Sequence, residues 1–77
     1  MHLYQERITA RPDVMLGKPC VKDTRLTVEL ILTKLSEGAT HAELLEAYPR
    51  LTALDILAVL DYAAALVQRK DSPVLSA

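Results

Sequence analysis

Catalysis in this chain would have to begin at Cys20, its one cysteine, within Gly17-Lys18-Pro19-Cys20-Val21-Lys22-Asp23-Thr24-Arg25-Leu26-Thr27-Val28. A thiol becomes a nucleophile only when a base or a positive environment draws off its proton. Lys18 and Lys22 flank it, but the two histidines are His2, near the N-terminus, and His41, far along the chain. No base comes with an orienting partner, so Cys20 is expected to be a small buried strand residue and no catalytic residue is assigned. One thiol and two distant imidazoles have no metal-ligand spacing. Asp55 and Asp61 face different directions on a helix, which leaves no carboxylate pair for acid–base work. Gly17-Lys18 runs into a proline rather than a helix, so it does not cradle phosphate. The expectation is a protein that is not an enzyme, with no metal, no cofactor and no small-molecule substrate.

Charge remains. The formal net charge is −1, too low for a simple nucleic-acid wrap. Its distribution is uneven. Residues 7–25 hold Arg7, Arg11, Lys18, Lys22 and Arg25 against Asp13 and Asp23, a net of +3. Residues 26–77 hold Lys34, Arg50, Arg69 and Lys70 against seven carboxylates, a net of −3, and Glu6 supplies the remaining −1. The five cations of the first segment are the candidate contacts for nucleic acid or for an acidic protein.

The elements that must hold them can be read from turn formers and periodicity. Residues 7–28 are expected to be extended, with two or three very short strands broken at Arg11-Pro12-Asp13 and Leu16-Gly17-Lys18-Pro19. Pro19 cannot donate to a ladder, so a strand there begins at that residue or lies at an edge. Thr27 is a suitable N-cap, and Val28, Ile31, Leu32 and Leu35 follow on one helical face, closed by Gly38. Thr40 and Glu43 match a capping box for a second helix, with Ala42, Leu45 and Tyr48 inward and Pro49 as its stop. Thr52 and Asp55 open a third helix that runs to about Arg69-Lys70 and ends at Ser72-Pro73. On this helix Ile56, Leu57, Val59, Leu60, Ala63, Ala64, Leu66 and Val67 form an apolar arc expected to face the core. A stripe of mostly small residues, Leu54, Ala58, Asp61 and Ala65, with Tyr62 beside it, is expected to admit a partner helix, as is Leu30 of the first helix.

Seventy-seven residues make a single domain over residues 1–77, with a core from 7 to 70 and a loose tail at 71–77. Such a chain buries only about 60% of its unfolded surface, so a second copy or a partner would add stability. No apolar run is long enough to span a membrane and the N-terminus has no signal-peptide pattern, which points to the cytoplasm. The fold class expected is α+β, mostly α: a short N-terminal β-ribbon, then three helices in a helix-turn-helix-like bundle. If the third helix were a recognition helix, its Leu54, Asp55, Ala58, Asp61 and Tyr62 would offer almost nothing that reads a base edge.

The order of motifs carries a resemblance. Gly17-Lys18-Pro19, Val21-Lys22, Thr24-Arg25-Leu26-Thr27-Val28, Gly38-Ala39-Thr40, Glu43-Leu44-Leu45, Tyr48-Pro49, Leu51-Thr52 and Asp55-Ile56 together resemble the small prokaryotic family known as domain of unknown function 433. The likeness covers about residues 7–68. It implies a helix-turn-helix grouping, homeodomain-like or winged-helix-like. It also implies, for many members, an antitoxin role beside a PIN-type nuclease toxin encoded next to them, with operator DNA as a further ligand; the alternative is a stand-alone DNA-binding regulator. Asp23 departs from the family, which usually has glycine before Thr-Arg. A glycine there suggests a turn with positive φ, which aspartate tolerates and can brace with an Asx-turn. Arg25 would then pair with Asp23 or with a helix C-terminus.

Overall fold

The computed structural model describes residues 4–69. His2, Ser72-Pro73 and the tail at 71–77 lie outside them. Four helices and a two-stranded antiparallel sheet follow in the order α1 (Tyr4–Arg7), β1 (Ile8–Thr9), β2 (Cys20–Val21), α2 (Val28–Ser36), α3 (His41–Ala47) and α4 (Ala53–Arg69). The fold is therefore mostly α with a small β-ribbon.

The ribbon pairs Ile8 with Val21 and Thr9 with Cys20. Pro19 stands just before β2, where its missing N–H costs nothing, and its carbonyl accepts from Val28 N at 2.9 Å. Between the strands the chain makes a left-handed turn, with φ of 50° at Met15, 58° at Leu16 and 84° at Gly17. Only glycine takes this conformation without strain, so two side-chain-bearing residues are held there by Gly17 N to Val14 O and Lys18 N to Met15 O bonds of 3.0 and 3.1 Å.

Helices α2, α3 and α4 start where their caps predict. Thr27 Oγ1 accepts from Leu30 N at 3.0 Å. Thr40 and Glu43 form a full capping box, with bonds of 3.1 and 2.8 Å. Thr52 and Asp55 form a shorter one, at 2.9 and 3.2 Å. Helix α2 ends in a Schellman motif: Gly38, at φ 100°, donates to Leu35 O, and Ala39 donates to Lys34 O.

The core gathers Val21, Val28, Ile31, Leu44, Leu51, Ile56 and Val59, with Leu32, Leu35, Leu45 and Tyr48 half-buried against it. In α3 the inward residue is Leu44, while Ala42, expected inside, is exposed. Helix α1 was not anticipated. It lies on α4, where Tyr4 N donates to Asp61 Oδ2 at 3.5 Å and the Tyr4 and Tyr62 rings meet edge-on with centroids 5.4 Å apart.

Helix α4 is rotated from its expected phase. Asp55 and Ala58 are buried, and Asp61, Tyr62 and Ala65 are half-buried. The small-residue stripe does receive a helix, but at Asp61 and Tyr62 that helix is the chain's own α1. Conversely Leu57, Leu60, Ala64, Leu66 and Val67, assigned to the core, are exposed. The reason is Asp55. A carboxylate on a helical wheel reads as a solvent marker, yet this one caps the helix and accepts from Arg7 Nη1 at 3.1 Å, so it is buried with partners.

Asp23 has φ of 61°, so its position is indeed left-handed. Its carboxylate makes no hydrogen bond among the described residues, so no Asx-turn compensates. Replacing Asp23 with Gly relieves the Cβ strain at the expense of a more disordered unfolded chain. Asp23→Gly is expected to raise unfolding stability by about 0.5–1 kcal/mol, read from urea denaturation midpoints at constant m-value.

Candidate binding groove

The turn from β2 to α2 is closed by a short set of bonds. Val21 N donates to Leu26 O at 2.9 Å and Thr24 N to Val21 O at 3.1 Å. Thr24 Oγ1 donates to Val21 O at 2.8 Å and accepts from Leu26 N at 3.0 Å. The threonine thus spends both hydroxyl functions on the backbone, and residues 22, 23 and 25 are pushed outward. Lys22 N donates to Arg7 O at 2.7 Å, which fixes the turn to the end of α1.

Beside this turn lies an open groove of about 670 Å³. Val14, Leu26, Tyr48 and Pro49 give it an apolar floor, and Arg11, Lys22, Arg25 and Arg50 stand around it with the single acid Asp23. Arg11 keeps an exposed ion pair with Asp13 at 3.4 Å, worth little in water. Lys22, Arg25 and Arg50 have no ion pair or side-chain hydrogen bond among the described residues, so the expected pairing of Arg25 with Asp23 or a helix C-terminus is not made. Two residues from Val14, Leu16 projects at 94% exposure, an apolar knob on the strained turn.

Of the five cations expected to meet a partner, the fold brings Arg11, Lys22 and Arg25 together and sends two elsewhere. Arg7 is committed to buried Asp55. Lys18 pairs with Glu29 at 3.0 Å on an exposed surface. Arg50 was missed. It follows Pro49, read only as a helix stop, and the turn that brings it beside the β2–α2 loop is a tertiary fact with no local signal.

Cys20 is 2% exposed, and its Sγ donates to Lys18 O at 3.4 Å. Burial raises its pKa, and Cys20 is the small buried strand residue that the sequence suggested. Among the described residues no cluster of three or more His, Cys, Asp or Glu could hold a metal, and no helix is long and apolar enough to cross a membrane.

A family model described as protein of unknown function (DUF433) matches residues 8–63. The chain belongs to the DUF433 family. The matched DUF433 segment includes every residue that lines the groove. A crystal structure of a DUF433 member protein from Anabaena variabilis is 33% identical, with a TM-score of 0.77 over 87% of this chain and 66% of that one. This chain thus spans just under two thirds of that protein's length. No curated protein matches.

Proposed function

We infer that this chain is a non-enzymatic binding module of the antitoxin type, which uses the basic groove to engage the acidic face of a PIN-type nuclease. The observation that carries the reading is the groove itself: Lys22, Arg25 and Arg50, without partners among the described residues, set around an apolar floor. Guanidinium groups pair bidentately with carboxylates, and an acidic nuclease cleft presents those carboxylates in a cluster. The apolar floor and exposed Leu16 favour a protein over a phosphate backbone, because phosphates offer nothing for them to pack against. The outward face of α4 also argues against base readout: Leu54, Leu57 and Leu60 carry no donor or acceptor for a base edge.

The test is co-expression with the product of the neighbouring gene, expected to be a PIN-type nuclease, followed by co-purification and calorimetry. The expected result is a complex whose affinity falls about 100-fold or more in the triple variant Lys22→Glu, Arg25→Glu, Arg50→Glu, with the circular dichroism unchanged. Failure of the wild-type pair to associate overturns the reading. Binding of the upstream DNA alone, with an affinity that falls steeply as salt rises, would instead favour a stand-alone regulator.

A further inference from the structure

Among the described residues nothing covers one face of helix α4. Ala53, Leu57, Leu60, Ala64 and Val67 recur at spacings of four, three, four and three, the heptad pattern of a helix–helix seam, and all are exposed. Leu57 is 48% exposed, Leu60 39% and Val67 52%; Leu54, at the edge of the same face, is 47% exposed. No charged residue stands in the seam. A solvated helix face normally carries Lys, Glu or Arg, so an uncharged stripe running two heptads is a surface built to be covered.

The sizes along the stripe identify what covers it. We propose that α4 packs antiparallel against α4 of a second copy of this chain, about a two-fold axis at Leu60. In that register Ala53 faces Val67 of the other copy, Leu57 meets the Ala63-Ala64 step, and Leu60 meets its own counterpart. Away from the central Leu60 pair each larger side chain meets alanine, which leaves room for knobs to enter holes. A parallel pairing would set Ala53 on Ala53 and Ala64 on Ala64, with gaps between crowded leucines. A two-fold interface is self-complementary, so one stripe with large and small residues exchanged about its midpoint suffices for both partners.

The area fits a reversible dimer. The helix has 17 residues, and a seam about 21 Å long removes on the order of 500 Å² per copy, about 1,000 Å² in total, at the floor for a specific interface. The seam shares no residue with the groove, so the dimer presents two grooves and does not depend on what they bind.

Sedimentation equilibrium of the full chain tests this. A concentration-dependent dimer is expected, with Leu60→Glu weakening the association at least about 100-fold while helicity is retained, since Leu60 is exposed in one copy alone. Direction is read by mixing Ala53→Cys with Val67→Cys under mild oxidation: the antiparallel seam gives the mixed disulfide, whereas a parallel one links Ala53→Cys to itself. A monomer at about 100 µM overturns the proposal. So does a seam variant that keeps its mass, and so does a wild-type monomer whose nuclease complex alone is lost in Leu60→Glu, which would assign the face to the nuclease. Loss of nuclease binding in the groove variant with the dimer intact leaves the two readings separable.

Discussion

Asp55→Ala is expected to lower the unfolding free energy by about 3 kcal/mol, most of it from two losses at one carboxylate. Oδ2 accepts from Thr52 N at 2.9 Å and closes the first turn of α4, and removal of such a cap costs about 1 kcal/mol. Oδ1 accepts from Arg7 Nη1 at 3.1 Å, with the aspartate side chain 9% exposed and the arginine 34%. Arg7 keeps partial access to water, so the loss of its partner falls below the full penalty for an orphaned buried charge, at about 2 kcal/mol. A chain of this size holds about 4–12 kcal/mol in total, so the variant melts some 12–24 °C lower. Asp55→Asn keeps an acceptor for the cap and is expected to cost about half as much. A double-mutant cycle with Arg7→Met should return a coupling of about 1–2 kcal/mol. A coupling within error of zero would reduce Asp55 to a cap and leave its burial unexplained. The pair also bears on the groove, because Arg7 O receives Lys22 N and loosening of α1 releases the turn that carries Lys22 and Arg25.

The same residue shows where the sequence stops being legible. Local chemistry reads well: Thr27, Thr40 and Thr52 cap the helices they were expected to cap, Gly38 closes α2, and Asp23 occupies a left-handed turn. Each of these depends on a side chain and a backbone within about four residues. The phase of α4 does not. Its apolar residues cover a broad arc, so the wheel does not fix the phase within that arc, and a buried Asp55 weights it in the wrong direction. What settles the phase is α1 on one side and α2 and α3 on another, both tertiary. α2 and α3 are short, at 9 and 7 residues against 17 in α4, so the described elements leave part of α4 uncovered. The groove divides similarly. Lys22 and Arg25 were legible as outward cations of a turn. Arg50 was not, because it joins them only when the α3–α4 turn folds back toward the ribbon.

Ile56→Ala and Leu57→Ala measure that phase directly, since the two residues are adjacent on α4 and opposite in environment. Ile56 is 0% exposed and belongs to the cluster with Ile31 and Val59, while Leu57 is 48% exposed. Truncating a buried isoleucine loses the transfer energy of its methyl and methylene groups and leaves a cavity that a rigid core fills only in part. A loss of about 3–4 kcal/mol is expected for Ile56→Ala, a large fraction of the stability of so small a chain. The described core has no phenylalanine or tryptophan to slump into the space, and its other fully buried large side chains are β-branched Ile31 and Val59, stiff at χ1. Leu57→Ala, measured at low protein concentration, is expected within about 0.5 kcal/mol of wild type, because an exposed side chain has little to lose on truncation. At high concentration its penalty should grow, since association that favours the folded chain adds to apparent stability. A Leu57→Ala penalty in dilute solution as large as that of Ile56→Ala would return α4 to the broad arc its hydrophobic wheel suggests and remove the seam with it.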